Sequence, residues 1–318
     1  MVTLAGKALR RLITMTVLSL TIILITLRFS YTDNFILASE LSKSINIITK
    51  CDTNPFKPFN DPHLAFDSKI PNVIHQIWKT NNVRTYSREI EASLDLWKNM
   101  FGPLNYTVKL WTDDAILQLV KTNYPWILTT YESYPQNIQR ADIARLLIIH
   151  AEGGIYADLD VYPTSPHQIQ CLQHLGLQAV FASTARTLGL SNHFFMAERG
   201  SPFLQWVLYE AKRRGGVKSQ HISLPYLQVF WSTGPTMVTA AFRSYAWIYG
   251  TLWYDMGLLE NGYSRVAIRH AAGRSWHKLD GQALNYIADH LRIGVLLGGI
   301  AFLFLVLGIV YIARRHLL

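Results

Sequence analysis

Residues 137–163 read NIQRADIARLLIIHAEGGIYADLDVYP, and their hydrophobic period changes once. Apolar residues recur at Ile138, Ala141, Leu146 and Ile149, which predicts a helix over 137–151. Gly153-Gly154 supplies its stop. From there Ile155, Ala157, Leu159 and Val161 alternate with Tyr156, Asp158, Asp160 and Tyr162, so a strand is predicted over 155–162, ended by Pro163. The same grammar extends outward. Val73 to Trp78 reads as a strand opened by Pro71, and Tyr106 to Trp111 as a second. That run stops at Thr112-Asp113-Asp114, a helix N-cap signal, before Ile116, Leu117, Leu119 and Val120. Further helices are expected at 201–214 and 235–247. Alternating strands and helices predict an α/β fold, an open sheet with helices on its faces.

Composition limits what surrounds that core. The chain has 318 residues, 50% hydrophobic and only 16% charged, where soluble domains carry about 25%. Aromatic content of 12% excludes a disordered chain. Two cysteines, Cys51 and Cys171, exclude a disulfide scaffold or Cys-rich zinc protein, and leave one optional bridge. A net charge of +9 suits an anionic partner. Leu12 to Leu27 is uncharged between Arg10-Arg11 and Arg28, and Ile293 to Ala313 is uncharged before Arg314-Arg315. Both are read as membrane spans, against a cleaved signal peptide for the first and a buried core helix for the second. The basic flanks place both termini in the cytosol. The expected layout is a tail at 1–11, an anchor at 12–30, a stem at 31–69, a lumenal domain at 70–290, a span at 293–313 and a tail at 314–318. Asn105-Tyr106-Thr107 is a glycosylation sequon that would face that lumen.

The chemistry is expected where the strand ends. On a strand, Asp158 and Asp160 would point the same way, and two close carboxylates repel unless a cation sits between them. Mg²⁺ or Mn²⁺ suits such oxygens and can neutralise a departing diphosphate. With 13 Asp in the chain, roughly half an Asp-x-Asp is expected by chance, so a solvated strand end is the competing reading. Asp142 and Arg145, at i and i+3, are set by the helix–Gly-Gly–strand hairpin to approach the same place, or else to pair on the helix surface. Trp111 and Trp231 read as core.

Arg140 to Arg145 followed by Gly153 to Asp160 resembles the core motif of glycosyltransferases with a DXD sugar-binding region, a group that includes fungal α-1,6-mannosyltransferases. Ile70 to Trp78 resembles the family's opening strand, and Ser232 to Pro235 and His270 to His277 its later landmarks, so the likeness spans residues 70 to 277. The resemblance implies a GT-A-like nucleotide-sugar-binding fold with a mixed central sheet. The two apolar stretches add N- and C-terminal transmembrane helices, a layout that resembles the catalytic subunits of fungal mannosyl inositol phosphorylceramide synthases.

What the resemblance implies can be placed residue by residue. Trp78 would stack on the base and Tyr156 would seat the nucleotide. Asp142 and Arg145 would hold sugar hydroxyls, with Arg145 near the phosphates. Asp158 and Asp160 would engage Mn²⁺ or Mg²⁺, with His270 and His277 as extra metal contacts or else structural histidines. Ser275 and Trp276 would lie on a flap over the diphosphate, and Asn192 and Glu198 near the acceptor. The implied reaction is retaining transfer of mannose from GDP-mannose to inositol phosphorylceramide at a Golgi membrane, beside a regulatory membrane subunit and with no nucleic acid. The competing readings are a mannosyltransferase for N-glycan or mannan acceptors, a non-catalytic assembly subunit, and a metal-dependent phosphohydrolase.

Overall fold

The computed structural model describes residues 13–20, 44–51, 70–82, 88–184, 189–249, 256–271, 279–282, 286 and 307. Two compact units emerge, one of residues 1–221 with 228–273 and one of residues 222–227 with 274–318. In the second, the Tyr226 amide donates to Asp280 Oδ2 at 2.8 Å. Residues 13–20 are helical, with Ile13, Met15, Val17, Leu18 and Leu20 exposed. Among the described residues no helix is long and apolar enough to cross a membrane; of the first apolar stretch residues 13–20 are described, and of the second only residue 307.

The first unit is an α/β layer structure. Its strands are β1 (Asn46–Ile48), β2 (Val73–Ile77), β3 (Thr107–Trp111), β4 (Gly154–Ala157), β5 (Val161–Pro163), β6 (Ala179–Ser183), β7 (Leu190–Ala197), β8 (Met256–Leu259) and β9 (Ile268–His270). Its principal helices are α1 (Arg88–Phe101), α2 (Asp113–Asn123), α3 (Asn137–Glu152), α4 (Pro166–Gln173), α5 (Pro202–Arg214), α6 (Pro235–Tyr249) and α7 (Asn261–Ala267). Among the described residues, seven strands form one sheet in the order β1-β8-β6-β7-β4-β2-β3. β7 runs antiparallel to both β6 and β4, while β2 is parallel to β3 and β4, so the sheet is mixed. β5 and β9 pair antiparallel in a small second sheet. β1 falls within the stretch expected to be a stem, and it forms the sheet edge against β8.

Strand alternation divides the core. On one face Tyr156, Phe181, Phe195 and Leu258 pack with α2, α3, α5 and α6. On the other, Ile74, Ile155, Ala157, Val180 and Phe194 pack with Trp97 and Phe101 of α1 and with residues of α4 and α7. Phe181 and Phe195, opposite one another in register, stack with centroids 5.0 Å apart. Each fully buried aromatic contributes about 1.5–3 kcal/mol by leaving water. Thr112 caps α2 as its sequence predicts, accepting from the Ala115 amide at 3.3 Å. α3 differs from its expected pattern: it is buried without interruption from Asp142 to Ile149, because β-strands and helices enclose it, and Ile138 and Ala141 are only half-buried.

Gly153 and Gly154 turn the chain from α3 into β4. Their φ values are +71° and +104°, in the region that L side chains rarely adopt. A Cβ at Gly154 would lie 2.4 Å from the Val73 carbonyl oxygen, so β2 leaves no room for one. Cys51 and Cys171 form a disulfide with Cα atoms 6.1 Å apart, at a sequence separation of 120.

Candidate active site

The strand expected over 155–162 is in fact two strands separated by a turn. β4 ends at Ala157, residues 158–160 turn, and β5 begins at Val161 in the other sheet. The Val161 amide closes this turn on the Asp158 carbonyl at 2.9 Å. Asp158 and Asp160 therefore reach the same region from a turn beyond the carboxyl end of β4, and not from one face of a strand. Unbroken alternation of residue type hid the change of direction.

That turn is fixed from several sides. The Asp158 amide donates to the His193 carbonyl of β7 at 2.9 Å, and the Ala271 amide donates to the Asp160 carbonyl at 2.9 Å. Ser93 Oγ and Trp97 Nε1 of α1 each donate to the Val161 carbonyl at 2.9 Å. Leu159 points into a small apolar cluster with Leu94, Val108 and Leu110, and Trp78 packs against it. Trp78, half-buried, thus stands beside the Asp-x-Asp turn.

Arg145 is the hub of the charged groups, with its side chain 5% exposed. Its Nη2 lies 3.3 Å from Asp142 Oδ1, and its Nη1 donates to Asp158 Oδ2 at 3.3 Å and to the Asn192 carbonyl at 3.0 Å. The guanidinium lies 5.1 Å from the Tyr156 ring centroid. Burial lowers the pKa of the Arg145 guanidinium, but the charge of Asp158 and the neighbouring anions outweigh it and leave it raised. Asp142 is 4% exposed; Asn192 Nδ2 donates to its Oδ1 at 3.0 Å and Thr233 Oγ1 to its Oδ2 at 2.9 Å. Burial still raises the Asp142 carboxyl, against Arg145, Thr233 and Asn192.

Asp158 receives the Tyr156 hydroxyl on Oδ1 at 2.7 Å. Its carboxyl is pushed up to about 6 by burial, with the Asp160 charge adding, against Arg145 and Tyr156. Asp160 Oδ2 lies 3.4 Å from His270 Nε2 on β9. Burial pulls His270 down, but the hydrogen bond and charge of Asp160 outweigh it and leave its pKa raised. The His270 ring stacks on His193 at 4.2 Å between centroids. Burial, followed by the neighbouring His270, pushes His193 down to about 3.

Of the residues singled out from sequence, Asp142, Arg145, Tyr156, Asp158, Asp160, Asn192 and His270 converge, and Trp78 flanks them. Asn192 here braces Asp142 and Arg145. Glu198 does not join them: it follows Ala197, which pairs with Gly154 at the opposite end of β4 from Asp158. Ser275, Trp276 and His277 lie outside the described residues. Trp111 is structural, its indole donating to His75 Nδ1 at 3.0 Å. Trp231 carries the Arg214 guanidinium 5.2 Å from its ring centroid. His193 and Thr233 were not singled out as site residues. The polar Asn192-His193 pair inside the apolar strand LSNHFFMA was the signal for the first, and Thr233 stands directly before the Gly234-Pro235 helix start.

Among the described residues, no three His, Cys, Asp or Glu side chains form a ready-made ion cage. The donor set nevertheless fits a hard cation. Mg²⁺-type sites use one or two carboxylates and complete their shell with substrate phosphates and water. Each carboxylate offers about four lone-pair sites, and Tyr156 and Arg145 occupy only part of those on Asp158.

The Asp-x-Asp motif in this turn is one that a known family also carries in sequence. Residues 87–181 match the family described as glycosyltransferase sugar-binding region containing DXD motif. Inositol phosphoceramide mannosyltransferase 1 of Schizosaccharomyces pombe is 30% identical over 78% of this chain and 76% of its own length. The chain belongs to the DXD glycosyltransferases. Inositol phosphoceramide mannosyltransferase 3 of the same yeast is 32% identical over 74% of this chain and 64% of its own. Mannosyl phosphorylinositol ceramide synthase SUR1 of Saccharomyces cerevisiae is 29% identical over 81% of this chain and 63% of its own. This chain thus spans a little under two thirds of the length of two of these relatives.

Proposed function

We propose that this DXD glycosyltransferase transfers mannose from GDP-mannose to inositol phosphorylceramide with retention of configuration, on a GT-A-like fold. One observation carries the reading: the Asp158–Asp160 turn stands at the carboxyl end of β4, beside Trp78 and gripped by Arg145. Ligands of open α/β sheets bind at that end of the strands. The relatives named above supply the donor sugar and the lipid acceptor.

The roles follow from the contacts. Trp78 offers a ring face to the base. Asp158 and Asp160 hold a divalent cation, Mn²⁺ or Mg²⁺, which when bound neutralises charge on the nucleotide's diphosphate. Arg145 is a positioning residue: it bridges Asp142, Asp158 and the Asn192 carbonyl, so it fixes the carboxylate that faces the donor. Asp142, Asn192 and Thr233 in turn fix Arg145. In the transfer, the bond from the anomeric carbon to the diphosphate oxygen breaks. A bond to an inositol hydroxyl oxygen forms on the same face, and the hydroxyl proton passes to the leaving diphosphate.

The apolar stretches 12–30 and 293–313 serve as anchors, with the domain in the Golgi lumen, both tails cytosolic and a regulatory membrane subunit alongside. Two observations support a lumenal domain. The Cys51–Cys171 bridge suits an oxidising compartment, and Asn105 of the sequon is exposed in a turn. The test is purified full-length chain given GDP-mannose and, in parallel, inositol phosphorylceramide and a high-mannose N-glycan. A hexose added to the lipid alone supports the reading. Extension of the glycan with the lipid untouched overturns it.

A further inference from the structure

A stripe of aromatic and basic side chains outside the site follows the outer face of α5, with Trp206 half-buried and Tyr209, Lys212 and Arg213 exposed. Trp206, Tyr209, Lys212 and Arg213 recur at three- and four-residue spacing and share one side of that helix. Phe203, Leu204, Val207, Leu208 and Ala211 fill the side that faces the core. Near the start of α5, the Trp206 ring lies 6.1 Å from that of Tyr249 at the end of α6. There Trp247 is 85% exposed and Ile248 49%. Midway, Tyr209 packs on Trp126 at 4.9 Å, and the Lys212 ammonium lies 5.4 Å from the Trp126 ring centroid. At the far end, Tyr209, Lys212, Arg213, Gly215 and Lys218 line a cleft of about 460 Å³. Glu210, the acid on α5, is neutralised by Arg213 and Arg214.

The two ends of this stripe have different neighbours. α6 leads into β8, whose Gly257 is in register with Asn46, the first residue of β1. In sequence, β1 is the first strand after the apolar stretch 12–30. At the other end, Arg214 Nη1 donates to the Trp231 carbonyl at 3.0 Å, and Thr233, two residues on, holds Asp142. The stripe therefore runs the length of α5, about 20 Å, from the end of the sheet where β1 and β8 begin to the end that carries the site.

We infer that this stripe is the face on which the domain lies against a bilayer. Trp247, Tyr249 and Tyr209 sit at headgroup depth, and Lys212, Arg213 and Lys218 meet anionic lipid headgroups. Trp and Tyr prefer the membrane–water interface, where an apolar ring and a polar edge are both satisfied. A basic, aromatic helix face is the surface that anionic leaflets attract. Lying on this flank brings both the anchor end and the site end to the membrane surface, which a domain standing upright on its anchor cannot do. The inference uses the anchor reading of residues 12–30 and is independent of the sugar transferred.

The test uses the full chain in nanodiscs of phosphatidylcholine with about 30% phosphatidylinositol, an anionic surface of physiological type. Cys51 and Cys171 are joined, so Ile248→Cys supplies a thiol for an environment-sensitive fluorophore. Lys98→Cys on α1, against the opposite face of the sheet, is the control. Lipids brominated near the headgroup should quench the label at 248 at least about threefold more than the label at 98, as for an interfacial side chain. The pair Lys212→Glu and Lys218→Glu should bring the two values together. Equal quenching at both positions in the parent chain overturns the inference. So does a label at 248 shielded from a water-soluble quencher but untouched by brominated lipid, which would mark a protein partner on this face.

Discussion

His75 gives the sharpest stability test, because both ring nitrogens are committed and the ring is buried. Trp111 Nε1 can only donate, and it reaches His75 Nδ1 at 3.0 Å. The neutral ring therefore carries its proton on Nε2, which donates to the Gly153 carbonyl at 3.0 Å. A second proton would have to sit on Nδ1, against the indole N–H. Burial, with Lys109 adding, lowers the pKa from 6.5 to about 4, against Glu152 and the Gly153 carbonyl. The unfolded chain takes up a proton near its ordinary value and the folded chain does not. Stability is thus complete above about pH 6.5 and is lost as pH falls towards about 4. Between about pH 7.5 and about pH 4.5 the loss from this one group is about 2.5 kcal/mol. His75→Asn keeps an acceptor for Trp111 but cannot titrate. At about pH 7.5 it should be less stable by about 1–2 kcal/mol, for the Gly153 hydrogen bond and the lost volume. Denaturant unfolding of both proteins in detergent, across this range, should show that gap closing and then reversing as pH falls. A gap that stays constant would refute the tautomer and burial argument.

Three other perturbations have expected outcomes. Arg145→Met leaves Asp142 buried without its countercharge and should lower unfolding stability by about 3 kcal/mol; Arg145→Lys should not restore it, since a single ammonium cannot reach Asp142, Asp158 and the Asn192 carbonyl together. Gly154→Ala places a methyl 2.4 Å from the Val73 oxygen at a φ of +104° and should cost at least about 3 kcal/mol in the same assay, or abolish folded yield. Replacing Cys51 and Cys171 together by Ser frees a 120-residue separation and should lower stability by up to about 5 kcal/mol in the chain-entropy picture, with thermal unfolding of oxidised and reduced parent protein as the check.

What could be read from sequence was what local chemistry dictates. The Gly-Gly junction, the Thr112 cap, β2 and the helices at α3, α5 and α6 each rest on neighbours within a few residues. The break at Asp158 was not legible, because Ile155, Ala157, Leu159 and Val161 keep a perfect period of two through the turn. The carbonyl of His193, the amide of Ala271 and the side chains of Ser93 and Trp97, all distant in sequence, hold the chain in that bend. β1 is three residues long and becomes a strand by pairing with β8. The antiparallel course of β7, which carries Asn192 and His193 to the Asp-x-Asp turn, likewise depends on pairing that no local pattern announces. The Asp142–Arg145 hub was foreseeable from the hairpin, but its Asn192 and Thr233 braces come from elements some 50 and 91 residues away.

The measurement that bears most directly on the account is equilibrium binding of GDP to the full-length chain in detergent, with and without Mn²⁺. The parent should bind GDP at least about tenfold more tightly with the ion present, as expected when two carboxylates share a cation with a diphosphate. Asp158→Asn with Asp160→Asn should lose that dependence while keeping an unaltered circular dichroism spectrum. GDP binding that ignores Mn²⁺ in the parent, or that keeps its dependence without both acids, would contradict the central claim.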